Sequence, residues 1–136
     1  MIIVIGPPAS GKSTFIKNCI PSHFSIVDPD KFVGYERDRL GDLVEKEIMS
    51  LLQFNNDFVI DVVGHNPFIL MNWLDMAKEK NFKTKVIFMN TKLNKCIKRN
   101  KLRERNIPSN ILFEKYFKCL DSVNLLRQNG VKIYEQ

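Results

Sequence analysis

Gly6-Pro7-Pro8-Ala9-Ser10-Gly11-Lys12-Ser13-Thr14 spells G-x-x-x-x-G-K-[ST], a spacing suited to gripping phosphate. A glycine-rich turn of this kind aims successive backbone N–H groups at one anion, and a helix beginning at Lys12 adds its positive end. The Lys12 ammonium would neutralise phosphate charge, and the Ser13 hydroxyl would sit on a Mg²⁺ ion. Gly6, Pro7, Ala9, Ser10, Gly11, Lys12, Ser13 and Thr14 are therefore the nucleotide-binding candidates, with Ser13 as the metal ligand. A tight turn that binds nothing would leave the Lys12-Ser13 pair without a purpose. Two other groups carry chemistry. Asp28-Pro29-Asp30-Lys31 puts two carboxylates on one loop tip, and Asp61 follows a short apolar run. Arg99 and Arg103 are four apart, so on a continuous helix they would project from one face, toward charge on a transferring phosphoryl group. Lys95 shares that face.

These residues need a frame. Ile2 to Ile5 read as a buried strand leading into the loop, and Lys12 to Ile20 as a helix leaving it. A strand over Phe24–Val27 ends at the acidic tip, and a strand over Phe58–Ile60 ends at Asp61. Residues Leu40, Leu43, Val44, Ile48, Leu51 and Leu52 follow a 3.6 period and predict an amphipathic helix over Arg39–Phe54. Asn66-Pro67 predicts a capped helix start, running to about Lys80, with Trp73 on its core face. A strand over Thr84–Met89 follows, and Asn90-Thr91 can cap a basic helix from Lys92 to about Arg105. A last helix over Asn110–Gln128, stopped by Asn129-Gly130, and a strand over Val131–Tyr134 complete the chain. Unalternating apolar strands joined by helices predict an α/β fold: five strands in a mostly parallel sheet with helices on both faces. Ligands of such sheets bind at the carboxyl ends of the strands. Asp28, Asp30, Asp61 and Asn90 are all expected there, on the edge that carries the phosphate loop.

The 136 residues suit one domain, 1–136, and 44% apolar content allows a packed core. Cys19, Cys96 and Cys119 are odd in number and widely spaced, which favours neither a disulfide framework nor zinc and fits a reducing cytoplasmic setting. The chain opens on a strand with no basic leader, and no apolar run approaches the ~20 residues needed to span a bilayer, so no membrane role is expected. Net charge is +6, and its placement is informative. Between Lys92 and Arg105 lie seven of the 21 basic residues and one of the 15 acidic ones, so that segment carries the whole excess. A concentrated patch of this sort suggests an anion site. No helix-turn-helix, zinc-finger or RNA-recognition signature is present.

The phosphate loop, the acidic pair after the second strand, Asp61 after the third, and Arg99-Asn100-Lys101-Leu102-Arg103 ahead of Pro108 together resemble the polynucleotide-kinase-like and zeta-toxin-like small P-loop kinases. The resemblance covers nearly the whole chain. Asp61-Val62-Val63-Gly64-His65-Asn66 is similar to that group's Asp-x-Thr-Gly or Asp-x-Thr-Asn segment, with Val63 in place of Thr. It implies a three-layer P-loop kinase fold with a lid around 92–109, using ATP and Mg²⁺. The expected activity is transfer of the γ-phosphate of ATP to a hydroxyl: the 5′ end of a polynucleotide or a nucleotide-type acceptor. A nucleotide-sugar or small-metabolite kinase and a catalytically degenerate ATP-binding module are the alternatives. In this group the carboxylate after the second strand acts as general base. Asp30 is preferred here, with Asp28 as the other register. If Asp28 is the base, Lys31 occupies the position of an acceptor-binding Arg. Asp61 and His65 are expected near the acceptor, and Tyr35 and Arg37 to close over it. The expected assembly is a monomer or small homo-oligomer.

Overall fold

The computed structural model contains strands β1 (Ile2–Ile5), β2 (Ser25–Val27), β3 (Phe58–Val62), β4 (Lys85–Phe88) and β5 (Ile133–Glu135). The helices are α1 (Lys12–Cys19), α2 (Arg37–Gln53), α3 (Pro67–Glu79), α4 (Leu93–Lys101) and α5 (Ser109–Gln128), with a 3-10 turn over Pro29–Phe32. It describes all residues except Val33 and Tyr35, and it leaves out the side chains of Arg37 and Asp38. The expected closure of Tyr35 and Arg37 over an acceptor falls outside the described residues.

The strands form one sheet in the order β2-β3-β1-β4-β5, and every described pairing is parallel. Apolar layers on both faces explain the unalternating strands. Because side chains alternate along a strand, Ile3 and Ile5 of β1 face one way and Val4 the other. Ile3, Ile5, Phe58 and Ile60 pack against Val44, Ile48 and Leu52 of α2, Leu70, Trp73 and Ala77 of α3, and Val123 and Leu126 of α5. Trp73, 6% exposed, is the core residue its helical spacing predicts. On the opposite face Val4, Val59 and Ile87 meet Ile16 of α1, with Phe15, Ile20 and Phe24 around them. β1 lies between β3 and β4, so the loop leaving it opens at the reversal of strand order, the usual ligand crevice of such sheets.

Several element ends differ from the sequence expectation, and three of the differences matter. β3 runs on through Val62, so Asp61 lies inside the strand, paired in register with Val4, and not after it. Thr91 and Asn90 do not cap α4: Lys92 occupies the cap position with no side-chain bond. The basic helix also stops at Lys101, four residues early. The cause is Asn100, whose Nδ2 donates to the Ile107 carbonyl at 2.8 Å while its Oδ1 accepts the Ile107 N–H at 3.0 Å. This buried clasp turns the chain back after one more turn of backbone bonds, Leu102 to Arg99 and Arg103 to Asn100. Arg103 therefore does not share a helix face with Arg99.

Candidate active site at the phosphate loop

The loop is shaped by sterics before charge enters. A Cβ on Gly6 would fall 2.6 Å from Ser10 Oγ and 2.8 Å from Met89 Cβ, closer than packing allows. Gly11 caps α1 with a φ of 99°, a region that favours glycine, and Ala9 holds a φ of 61° despite its side chain. Beyond Gly11 the first turn of α1 leaves backbone N–H groups without intrahelical partners, which is the property of a helix start that binds anions. Lys12 Nζ donates to the Gly6 carbonyl at 2.9 Å and the Pro7 carbonyl at 3.3 Å, so its ammonium lies within the loop. Burial pulls the Lys12 pKa below its ordinary value, and the Asp61 carboxylate is the strongest influence in the other direction.

Strand alternation aims Asp61. Val59, two residues earlier, belongs to the layer under α1, so Asp61 projects to the same face, at the first turn of α1. There Ser13 Oγ donates to Asp61 Oδ2 at 2.8 Å. Burial raises the Asp61 pKa; Lys12 and the Ser13 hydroxyl oppose the rise, and Asp28 and Asp30 add to it. A hydroxyl and a carboxylate beside a phosphate loop form the hard-oxygen pair that suits Mg²⁺, which takes one or two protein oxygens and completes its shell with phosphates and water. Among the described residues no cluster of three or more His, Cys, Asp or Glu could hold a metal alone.

The acidic tip splits into two environments. Asp28 Oδ1 accepts the Asp30 N–H at 2.9 Å, a turn-closing bond of the kind Asp-Pro sequences favour. Asp30 is exposed, and its charge is felt by both Lys12 and Asp61. Lys31 extends back along β2, with Nζ 3.4 Å from the Ile26 carbonyl.

One loop atom gathers an unforeseen pair of donors. The Ser10 carbonyl accepts from Thr91 Oγ1 at 2.8 Å and from Arg99 Nη1 at 3.0 Å. The hydroxyl expected to cap α4 is thus spent on the phosphate loop, and Arg99 reaches the loop backbone from the helix that carries it. A peptide carbonyl held from one side turns the following N–H, that of Gly11, the opposite way. Arg103, although off the helix, is near enough for its charge to lower the Lys12 pKa. Asn90 is drawn elsewhere, donating to Glu135 Oε2 at 3.2 Å. His65 also departs from the cluster and faces α5, where Lys115, Lys118 and Glu114 are its charged neighbours. Cys119 is buried on α5, and desolvation pushes its thiol up to about 12, so it stays protonated beside Lys12. Thr91 and Asn100 were the site residues that spacing did not single out. Their bonds reach across 81 and seven residues, and no local pattern encodes either.

No curated protein matches the sequence. Solved structures with the same fold include a chain of the Pnkp1/Rnl/Hen1 RNA repair complex, at TM-score 0.77 and 18% identity, covering 91% of this chain and 45% of that one. A chain of the PezAT chromosomal toxin-antitoxin system of Streptococcus pneumoniae aligns at TM-score 0.71 and 18% identity, covering 99% and 67%. A gluconokinase from Sinorhizobium meliloti 1021 aligns at TM-score 0.61 and 13% identity, covering 98% and 79%. The chain spans about half the length of the first of these, and the shared feature is the kinase-like P-loop fold. A family profile described as AAA domain matches residues 1–122, and with a phosphate loop, a Ser13–Asp61 pair and a five-stranded parallel sheet in place, the chain belongs to that family.

Proposed function

We propose that the chain is an ATP-dependent kinase that moves the γ-phosphoryl group of ATP to a hydroxyl, on the 5′ end of a polynucleotide or on a nucleotide-type acceptor. The observation that carries this reading is the convergence of Asp28, Asp30 and Asp61 on one phosphate loop, where Ser13 and Asp61 are already joined. An exposed carboxylate whose charge reaches Lys12 and Asp61 supplies what transfer to an acceptor needs and nucleotide holding alone does not.

Phosphoryl transfer depends on position and charge more than on covalent chemistry. The loop N–H groups and Lys12 would hold the β- and γ-phosphates. Mg²⁺, held by Ser13 and Asp61, would supply charge neutralisation there. Asp30 takes the base role ahead of Asp28, because one Asp28 oxygen is committed to the Asp30 backbone. Asp30 would accept the proton of the acceptor hydroxyl as its oxygen attacks phosphorus. Arg99, and Arg103 beyond it in the 92–109 segment, would offset charge on the transferring group, each contact contributing a few kcal/mol to the transition state.

The test uses the protein with labelled ATP and Mg²⁺ against 5′-hydroxyl DNA, 5′-hydroxyl RNA, nucleosides, nucleotide sugars and small sugar acids. Label should appear on a hydroxyl acceptor and disappear in Asp30→Asn. ATP binding with no transfer to any member of the panel would leave a nucleotide-binding module and overturn the kinase reading.

A further inference from the structure

Helix α4 meets the phosphate loop twice, and both meetings fall on one atom. Near the start of the helix, Cys96 Sγ donates to the Thr91 carbonyl at 3.7 Å, and Thr91 Oγ1 donates to the Ser10 carbonyl at 2.8 Å. Near its end, Arg99 Nη1 donates to the same Ser10 carbonyl at 3.0 Å. The guanidinium lies against the loop itself: a Cβ added to Gly11 would fall 3.3 Å from Arg99 Nη1. That bond uses one N–H of a group that carries several, so the others can serve phosphate.

A long side chain finds a fixed atom only from a fixed root. Arginine has much rotamer freedom to lose, and the last turn of a helix frays. Arg99 stands in the last turn of α4, which ends at Lys101. Packing does not secure that end, because residues 101–106 are all exposed. Asn100 does. It is 6% exposed, and its amide pairs with both polar backbone groups of Ile107, donating at 2.8 Å and accepting at 3.0 Å. A carboxamide can donate and accept at once, which a carboxylate or an apolar side chain cannot. Cys96 and Asn100 are four apart and both buried, so the Thr91 contact and the clasp hold one side of the helix. Arg99 is the next residue to Asn100, so its root is held wherever the clasp holds.

We propose that Asn100 is a positioning residue of the phosphate loop: by fixing the end of α4 it seats Arg99 on the Ser10 carbonyl, and Arg99 and Thr91 together hold the Ser10–Gly11 peptide with its N–H turned toward a bound phosphate. Helix α4 is then a fixed bracket, and Arg99 reaches the loop without any closure of the 92–109 segment. The proposal deepens the kinase reading of this site, but it rests only on the loop binding a nucleotide and not on transfer.

The test is a double-mutant cycle on the full chain, with ADP and Mg²⁺ as the probe and calorimetry as the readout. Asn100→Ala should weaken ADP about fivefold in the wild-type background, and by less than about 1.5-fold once Arg99→Ala is present, because a residue that acts through another loses its effect with it. The Gly11 amide ¹⁵N shift should move in the same direction in Asn100→Ala and in Arg99→Ala, since the Ser10 carbonyl belongs to the same peptide. A clasp that only stabilises the fold would lower Tm and leave that shift in place. The wild type supplies a readout that needs no variant to fold: the Arg99 side-chain N–H signals should be resolved and slow to exchange without nucleotide. Equal weakening of ADP in both backgrounds, an unmoved Gly11 amide in Asn100→Ala, or solvent-averaged Arg99 signals in the wild type overturns the proposal. Coupling between Asn100 and Arg99 in a protein that binds ADP yet phosphorylates no acceptor supports the bracket and overturns the kinase reading.

Discussion

Thr91 holds the phosphate loop through one oxygen, and the consequence can be measured. Thr91→Val keeps the shape and removes the donor to Ser10. Loss of one such bond costs about 1 kcal/mol, so KM for ATP should rise roughly five- to tenfold, and Thr91→Ser should restore it. Unchanged KM in Thr91→Val would show that Arg99 alone secures the carbonyl. Asp61 makes a prediction about pH. Its folded-state pKa is raised above the model-peptide value of 3.8, so ionised Asp61 is a cost to the fold at neutral pH, and the cost fades as pH falls through the raised pKa toward that value. Asp61→Asn should therefore raise Tm at pH 7, keep the Ser13 bond through the amide oxygen, and lose its stability advantage near pH 4. The same variant should lose Mg²⁺-dependent turnover by about a hundredfold or more, which thermal scans and initial rates at several pH values would separate.

Helix α4 is where local reading and long-range structure part company. Its basic character, its strand–helix context and the capped start of α3 at Asn66-Pro67 were legible, because each rests on neighbours within one turn. Where α4 stops was not legible. Spacing carried the helix to Arg105, whereas Asn100 folds the chain back onto Ile107 through two bonds that a helical pattern cannot announce. For the same reason Arg99 and Arg103 seemed to share a face. Asp61 was found as a residue, but its place inside β3 follows from pairing with β1, which only the sheet supplies. The sequence preferred Asp30 to Asp28 from the reading of the strand end alone; the turn at Pro29 adds a difference it could not supply, by occupying one oxygen of Asp28. Replacing Asn100 with Leu should destabilise the protein by about 1–3 kcal/mol, since it strips two bonds from a buried backbone segment. Denaturant unfolding would give the size, and faster amide exchange at Ile107 would locate it. In turnover, Arg99→Ala should fall at least tenfold and Lys98→Ala should stay within twofold. Equal losses in the two would remove Arg99 from the site.

At the scale of the molecule, charge and alignment are the two properties to follow. The excess of six positive charges is concentrated between Lys92 and Arg105, on the side of the sheet edge that carries the loop. A polynucleotide acceptor would release counterions on binding there, so log KM should climb steeply with log salt concentration, each contacted phosphate of a single strand contributing about 0.7 to the slope. Lys98→Gln with Lys101→Gln should lower that slope by about 1.4 if both touch phosphate. A flat salt dependence would point to a small acceptor. Among the described residues no helix is long and apolar enough to cross a membrane. The pairing of Val4 with Asp61 bears on folding as well as chemistry. Strand register has a period of two, so sliding β3 by one residue against β1 would turn Asp61 into the apolar layer of Ile3, Ile5 and Leu70. An unpaired carboxylate there would cost several kcal/mol. The misaligned sheet is thereby excluded during assembly by the same side chain that meets Ser13, and Asp61→Val should tolerate the slipped pairing that the natural residue rejects.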